Sequence, residues 1–307
     1  MIIKSEVNDK GIHILYVRKE YDDDKMEKRL NTFVKQYHIK NIIHENTDVY
    51  TEEGKLLLRF RKNILPKKNI DDFYDNIIGF AKNTTSNRGS TSGSKTKNVG
   101  ENPKIMTNIF GYFDKWSPSQ KLLFRENNFK PMTSVRETRF NMDSPDKYEK
   151  TLPLIRDIDR LYKKLTPKNY RAQRSKADMT HFKIQDTSFT TITTNINFQT
   201  TIHTDKGDDA DGFGNLTVIE RGEYSGGETC FPQYGIGVDV RTGDILFMDV
   251  HQPHANLKIK KHTKDTIRLS IVCYLRKNIW ELTKNKSRDF YEEHCKQLKE
   301  LRESVAQ

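Results

Sequence analysis

Cysteine is scarce in this sequence, and its scarcity excludes several kinds of protein. Only three cysteines occur in 307 residues, Cys230, Cys273 and Cys295, and no two of them form a Cys-x-x-Cys pair. Such a set builds neither a disulfide framework nor a zinc ribbon. We therefore expect no zinc site and a reducing, intracellular setting, with nucleus and cytoplasm both open.

Long apolar runs are also missing. No stretch of about 18 apolar residues occurs, so the sequence predicts no transmembrane helix and no membrane partner. The first residues, MIIKSEVNDKGIHILYV, have neither the apolar core nor the small-residue cleavage site of a secretory signal. We expect no signal peptide.

Acidic residues are outnumbered by basic ones. Lys and Arg number 53 against 42 Asp and Glu, which gives a formal net charge of +11. A positive balance favours polyanionic partners, nucleic acid above all. Charge alone is equally compatible with a basic protein that binds no polyanion.

Apolar periodicity predicts the secondary structure. Helical spacing predicts helices over residues 26–37, 70–81, 144–165 and 287–305. Weak alternation predicts a strand over residues 12–17, and residues 83–104, rich in Ser, Thr, Gly, Asn and Lys, read as a loop or linker. Such a basic loop could also follow a nucleic-acid backbone.

Short β-rich runs separated by glycines fill residues 189–276 and predict a sandwich or barrel. The runs are TTITTNINF, NLTVIERG, GETCFP, IGVDVRTGDILFMDV and TIRLSIVCYLR. We expect an α+β protein in two parts, a small α/β extension over residues 1–55 and a larger domain over residues 56–307. The β-core of the larger domain spans about residues 186–280.

A His-x-Asp pair stands out in this region. His203 and Asp205 are two residues apart, so on an extended chain their side chains point to the same face. His254 follows 49 residues after Asp205, four residues after the end of the apolar run GDILFMDV. Two imidazoles and one carboxylate on one face of a metal are typical of the facial triad of non-heme iron(II) sites.

Arg268 lies inside an apolar strand, fourteen residues after His254. A guanidinium there needs an anionic partner, since an unpaired buried charge is costly. Ser270 is two residues further on and faces the same way, so the guanidinium and the hydroxyl together suit a carboxylate ligand. The alternative is a structural salt bridge within the protein.

These motifs resemble the oxygenase domain of the TET/base-J-binding-protein family. The resemblance is carried by HTDKGDDADGFGNLTVIERGEYSGGETCFPQYGIGVDVRTGDILFMDVHQPHAN and RLSIVCYLR. It is strongest over residues 189–280 and weaker over residues 58–188, and it leaves roughly the first 55 residues uncovered. It implies a double-stranded β-helix (jelly-roll or cupin-like) core flanked by helices, in a dioxygenase that uses iron(II), 2-oxoglutarate and O2, with ascorbate as an in vitro reductant.

The resemblance also implies the metal ligands. His203, Asp205 and His254 would bind iron and form the catalytic set. His251 competes for the distal position because the sequence reads His251-Gln-Pro-His254. The resemblance favours His254, and Pro253 fixes an extended approach to it.

The cosubstrate residues follow from the same resemblance. Arg268, helped by Ser270, would bind the far carboxylate of 2-oxoglutarate. Asn197 and Thr193 share a strand face before the His-x-Asp pair. They could contact the cosubstrate or line its pocket. The pattern is equally compatible with a polar strand face that has no functional role.

The implied substrate is the methyl group of a pyrimidine base, 5-methylcytosine or thymine, in DNA rather than RNA. Such a base must leave the duplex stack or lie in a single strand. Arg88, Arg136 and Arg139 could contact phosphate or lie on a solvated surface. Aromatic residues could stack on the base or form a small core; these are Phe110, Tyr112, Phe113 and Trp116.

Three readings of function remain open at this point. The first is the base hydroxylase, which would be compact, stand-alone and of a viral or microbial kind, because the chain shows neither a cysteine-rich extension nor room for a separate DNA-recognition domain. The second is a prolyl or lysyl hydroxylase with the same iron and cosubstrate site. The third is a metal-free β-helix binding module.

Overall fold

The computed structural model describes residues 1–85, 89–93 and 105–306, which form sixteen β-strands and eight α-helices. The strands are β1 (Ile2–Val7), β2 (His13–Val17), β3 (Asn41–Ile43), β4 (Thr47–Thr51), β5 (Leu56–Arg61), β6 (Met106–Phe113), β7 (Arg136–Glu137), β8 (Thr191–Ile196), β9 (Gly214–Arg221), β10 (Tyr224–Ser225), β11 (Thr229–Phe231), β12 (Ile236–Val238), β13 (Ile245–Met248), β14 (Ala255–Asn256), β15 (Lys260–Lys261) and β16 (Ile267–Tyr274). The helices are α1 (Asp23–Glu27), α2 (Lys67–Ala81), α3 (Pro118–Glu126), α4 (Arg139–Asp143), α5 (Pro145–Leu165), α6 (Pro167–Ala177), α7 (Lys277–Thr283) and α8 (Arg288–Ala306).

Two sheets pack face to face and form the β-core. The large sheet has the order β1-β2-β4-β5-β13-β9-β16-β8-β6-β7, and the small sheet has the order β14-β11-β12-β3. Apolar side chains of β9 and β13, such as Val218 and Leu246, pack against Phe231 and Val238 of the small sheet. The predicted α+β fold with a double-stranded β-helix core is confirmed.

Helices cover the other face of the large sheet. Ile77 of α2 and Ile155 of α5 belong to one buried cluster with Ile192, Leu269 and Ile271 of the sheet. The helices predicted over residues 70–81, 144–165 and 287–305 are confirmed as α2, α5 and α8. Among the helices of the described ranges, none is both long and apolar enough to cross a membrane.

The helix predicted over residues 26–37 is wrong. Only the five residues of α1 are α-helical there, and a short 3-10 turn follows at Gln36–His38. Asn31 has φ 65°, which breaks a right-handed helix, and its N–H donates to the carbonyl of Ile202. Phe33 and Tyr37 are exposed, so the apolar spacing that suggested a helix does not mark a buried face. A tertiary contact decides the backbone here rather than the local pattern.

The N-terminal residues extend both sheets. β2 pairs in parallel with β4, β4 pairs with β5, and β5 pairs with β13 of the core. β3 pairs in parallel with β12 of the small sheet. The division of the chain at residue 55 stays a prediction.

Candidate metal and cosubstrate site

His203 and His254 face each other across a single antiparallel bridge. Each backbone N–H donates to the carbonyl of the other residue at 2.9 Å, and the two ring centroids are 4.4 Å apart. His254 directly precedes β14, and His203 lies in the segment after β8. Main-chain pairing, rather than side-chain contact alone, therefore fixes the distance between the two imidazoles.

Asp205 completes the cluster two residues after His203. Its carboxylate oxygens lie 3.7 Å from Nε2 of His203 and 3.6 Å from Nε2 of His254. The backbone N–H of Asp205 donates to the carbonyl of Val250 at 3.0 Å, which holds the residue beside the second histidine. One ligand atom from each of the three residues lies within 4.8 Å of the others. Two ligand atoms that bind one metal at about 2.0–2.2 Å and at right angles are about 3 Å apart. The three side chains therefore need to move only slightly toward one another to bind a metal ion.

The second nitrogen of each imidazole fixes its tautomer. Nδ1 of His203 lies 2.7 Å from the carbonyl of Thr201, and Nδ1 of His254 lies 3.0 Å from the carbonyl of Gln252. A carbonyl oxygen only accepts, so each Nδ1 carries the proton and donates. The lone pair then sits on Nε2, the nitrogen that faces Asp205, which is the arrangement that a metal ligand needs.

Charge and burial at the cluster favour a cation. Burial lowers the pKa of His254, but the hydrogen bond and the negative charge of Asp205 outweigh it, and the pKa is raised. Asp208 lies nearby, where burial and the Asp205 carboxylate raise its pKa well above the usual range, although Arg276 acts in the opposite direction. Positive charge between these groups is therefore stabilising.

A cavity of about 250 Å³ opens beside the three residues. Its wall includes Thr193, Asn195, Arg268 and Ser270 from two paired strands, β8 and β16. Cavities for drug-sized ligands span roughly 300–1,000 Å³, so this one suits a small polar molecule.

Arg268 is the buried cation of this cavity, with an exposed fraction of 4%. One of its terminal nitrogens donates to the carbonyl of Gly227 at 2.7 Å, and its Nε is buried without a hydrogen-bond partner. Burial lowers its pKa, and within the described ranges no carboxylate pairs with it. A structural salt bridge, the alternative reading of this residue, is thus not found there. A guanidinium so placed fits the carboxylate of a small ligand.

Gly227 makes room for that guanidinium. It has φ 82°, and a Cβ built on it would lie 2.8 Å from Nε of Arg268 and 3.0 Å from its Cδ. A side chain at this position would both strain the backbone and displace the arginine. The glycine thus permits the close approach of the arginine to the backbone.

Ser270 lies opposite Asn195 in the register of β16 and β8. The Asn195 amide donates to Oγ of Ser270 at 3.3 Å, and its oxygen accepts from Thr107 at 3.0 Å. Both Ser270 and Asn195 line the cavity. Asn195 was missed from the sequence, although it lies two residues after Thr193 on the same strand face.

Asn197, the predicted cosubstrate contact, does not line the cavity. Its φ of 49° ends β8, so the strand alternation that points Thr193 and Asn195 inward stops before it. Its side-chain oxygen accepts from the N–H of Arg268, and its amide donates to the carbonyl of Thr266, both at 2.8 Å. Asn197 therefore holds the backbone under Arg268.

His251 lies apart from the cluster. Its Nε2 donates to the carbonyl of Asp209 at 3.0 Å, and its N–H donates to the Asp249 carboxylate. The structure brings His254, and not His251, together with His203 and Asp205.

The cavity is also lined by residues that the sequence reading did not single out, among them Phe198, Asp208 and Arg276. Asp208 and Arg276 are joined by a backbone bridge. Arg276 donates to the Asp114 carboxylate at 2.5 Å and lies over the ring of Phe113, 4.6 Å from its centroid. Arg276 follows Arg268 by an even number of residues along one extended run, and this parity is the signal that could have found it.

None of the phosphate and stacking candidates within the described ranges lines the cavity. Arg88 is outside the described residues. Arg139 pairs with a carboxylate one helical turn on, and Nε of Arg136 donates to a backbone carbonyl. Phe110 and Tyr112 are buried in apolar clusters, as the small-core alternative expected.

Comparisons with known proteins agree with this geometry. A family described as the oxygenase domain of the 2OGFeDO superfamily, Tet_JBP, matches residues 121–277, about half of the chain. The chain is 33% identical over 197 residues to the bifunctional helicase and thymine dioxygenase JBP2 of Trypanosoma cruzi (strain CL Brener), covering 64% of this chain and 16% of the relative. It is 28% identical over 290 residues to the thymine dioxygenase JBP1 of Trypanosoma brucei brucei (strain 927/4 GUTat10.1), covering 91% of this chain and 31% of the relative. The chain thus spans less than a third of these curated relatives.

A solved structure shares the fold. NgTET1, determined in complex with 5mC DNA, superposes with a TM-score of 0.53 at 13% identity. The match covers 86% of this chain and 82% of that one. At such low identity the likeness concerns the fold alone.

Proposed function

Because this chain belongs to the Tet_JBP family of 2OGFeDO oxygenases, we propose that it hydroxylates the methyl group of a pyrimidine base, thymine or 5-methylcytosine, in DNA. The superfamily uses iron(II), 2-oxoglutarate and O2. The observation that carries the proposal is the cluster of His203, Asp205 and His254 beside a buried arginine without a carboxylate partner in the described ranges. Relatives that are thymine dioxygenases and the positive net charge support the choice of a DNA base.

His203, Asp205 and His254 would hold the iron. Two neutral Nε2 atoms and one carboxylate would bind one face of the metal, which is typical of sites that keep positions open for other ligands. The Nδ1 hydrogen bonds to Thr201 and Gln252 keep both rings oriented before the metal binds. When bound, iron with 2-oxoglutarate and O2 supplies the oxidising power to hydroxylate a C–H bond, as 2-oxoglutarate loses carbon dioxide and becomes succinate.

Arg268 and Ser270 would bind the far carboxylate of 2-oxoglutarate. The arginine offers the terminal nitrogen that does not donate to Gly227, and the Ser270 hydroxyl is held by the amide of Asn195. Since Arg268 and Ser270 are buried, this end of the pocket would fix the orientation of the cosubstrate. Fixing that orientation is the protein's share of the reaction.

The remaining polar wall would face the substrate. Asp208 and Arg276 offer an acceptor and a donor to the edge of a pyrimidine, and Phe198 offers an aromatic face. A base reaches such a cavity only after leaving the duplex stack, which costs a few kcal/mol. Contacts of this kind offset part of that cost.

Mass spectrometry of nucleosides tests the proposal. DNA containing thymine or 5-methylcytosine is incubated with the protein, iron(II), ascorbate and 2-oxoglutarate, and hydroxymethyl bases are expected. The double variant His203→Ala with Asp205→Ala should form none. His251→Ala is the matched control, because it removes a nearby histidine outside the cluster, and it should keep the activity.

The other two functional readings give distinct outcomes in the same assay. A prolyl or lysyl hydroxylase would release succinate with lysine- and proline-rich peptides and not with DNA. A metal-free module would bind neither iron nor 2-oxoglutarate. Either result would overturn the proposal, as would full activity in the double variant.

A further inference from the structure

Residues 258–264, the basic turn, carry an exposed group of cations. Lys258, Lys260, Lys261, His262 and Lys264 are all exposed, and within the described ranges no carboxylate forms an ion pair with any of them. The acids of the same hairpin, Glu223 and Asp265, are exposed and form no such pair either. Four lysines in seven residues thus leave a local excess of positive charge.

Several lysines on the helix surfaces are arranged differently. Lys67 and Lys68 of α2 pair with carboxylates four residues on, as do Lys296 and Lys299 of α8. Such pairs compensate much of the helical charge within the protein. The basic turn has no such compensation, so its cations are available to an external anion.

The basic turn is tethered to the candidate site at both ends. It begins four residues after His254 and ends four residues before Arg268. Its strand β15 pairs with β10, and Ile259 packs against Gly227, the glycine that also contacts Arg268. Four residues span at most about 14 Å, so Lys258 cannot lie farther than that from the metal ligand. Duplex DNA carries one phosphate charge per roughly 1.7 Å of axis, which amounts to about eight charges over that distance.

We propose that the basic turn binds the phosphate backbone of the DNA duplex whose base enters the cavity. This inference rests on the proposed function, and it adds a surface that none of the site residues forms. The contact is electrostatic, so it contributes affinity without sequence preference. Lys258, Lys260, Lys261 and Lys264 act as one group because they lie on one short hairpin.

The test compares two variants with equal loss of charge. In the first, the four lysines of the basic turn become glutamine. In the matched control, Lys67, Lys68, Lys296 and Lys299 become glutamine. Affinity for a short unmodified duplex is measured between about 50 and 200 mM salt, where each phosphate contact contributes about 0.9 to the slope of log affinity against log salt.

The first variant should make that slope shallower by about 3, and the control should make it shallower by less than about 1. Arginine at the same four positions should keep the wild-type slope, and 2-oxoglutarate affinity should stay unchanged in all three variants. Equal slopes for the glutamine variant and its control would overturn the inference, and so would an arginine variant that binds as weakly as the glutamine one. Either result leaves the proposed function standing if the wild type still oxidises DNA bases, whereas a wild type that binds DNA and oxidises no base contradicts that function instead.

Discussion

The β-core over residues 189–276 and the first 55 residues contribute to the same site in different ways. The core supplies the cluster of His203, Asp205 and His254 and the cavity arginine. Among the described residues that line the cavity, none comes from the first 55. Those residues nevertheless reach the backbone beside the candidate ligands.

The N-terminal contact is made at Ile202, the residue before His203. The N–H of Asn31 donates to the carbonyl of Ile202, and the N–H of Ile202 donates to the carbonyl of Thr32, both at 2.8 Å. The side chains of Met26, Val34 and Ile39 belong to the same buried apolar cluster as Ile202 and as Ala255, the residue after His254. The other buried members of this cluster are Cys230 and Leu257.

This difference separates ligands from the packing that places them. A metal site needs particular ligand atoms, so its residues leave a recognisable sequence motif. The apolar residues that pack beneath the ligands need only a suitable volume and shape, so they leave none. The family match begins at residue 121, yet the residues under both histidines include Met26 and Ile39. The site should therefore respond to changes in a region that carries no motif.

Removing the cavity cation should have the largest effect. Arg268→Ala should weaken 2-oxoglutarate binding by about 3 kcal/mol, or roughly two orders of magnitude, because the ligand carboxylate would be buried without a partner. Calorimetric titration with 2-oxoglutarate measures it. Arg61→Ala is the control, because Arg61 is also buried and pairs with Asp48 far along the sheet. It should cost stability and leave 2-oxoglutarate affinity intact; equal losses would contradict a specific role for Arg268.

Removing apolar support should reach the metal from the N-terminal region. Met26 is 1% exposed, so Met26→Ala should lower the free energy of unfolding by about 2–4 kcal/mol and also weaken iron(II) binding by the folded protein. Urea unfolding and metal titration measure the two effects. Leu152→Ala is the control, since Leu152 is equally buried on the opposite face of the large sheet. If both variants bind iron alike, the N-terminal region has no part in the site.

The sequence predicted the core better than its support, for a physical reason. Short β-rich runs predicted β8, β9 and β16, which are buried along most of their length, and helical spacing of apolar residues predicted α2, α5 and α8. His203 and Asp205 were found because i and i+2 on an extended chain share a face, and His254 because the family resemblance favours it over His251. Asn197 was predicted to share a strand face with Thr193. Its left-handed backbone, which periodicity cannot reveal, turns its side chain away from the cavity.

The pairing of distant residues at the cavity was the part that the sequence could not predict. Asp208 and Arg276 are brought together by a backbone bridge across 68 residues of sequence, and no local pattern encodes that pairing. The helix predicted over residues 26–37 was wrong for the same reason, because the contact of Asn31 with Ile202 sets its backbone. Tertiary context overrides local preference at such positions.

A substitution of Gly227 should have a smaller effect, and it should distinguish a change in the shape of the cavity from the strain of a left-handed backbone. Gly227→Ala should weaken 2-oxoglutarate binding about tenfold, because the new methyl group meets the Arg268 side chain and the backbone has φ 82°. Gly11→Ala is the control: Gly11 has φ 71°, but a Cβ there meets nothing within 4 Å. Both variants should lose about 1 kcal/mol of stability from the left-handed backbone. Unchanged 2-oxoglutarate affinity in Gly227→Ala would show that Arg268 does not depend on this glycine.

The smallest expected effect tests the N-terminal contact itself. Asn31 and Asn128 are both exposed and both left-handed, with φ of 65° and 46°. Replacing either with alanine should cost about 1 kcal/mol of stability. Alanine keeps the backbone N–H but disfavours φ 65°, so only Asn31→Ala should displace the hydrogen bond to Ile202 beside His203 and weaken iron(II) binding, by about fivefold. Metal titration of the two variants and of Asn31→Gly, which tolerates the same backbone, measures the difference. Wild-type iron affinity in Asn31→Ala, with the expected loss of stability, would mean that the hydrogen bond to Ile202 supports the fold without placing the ligand.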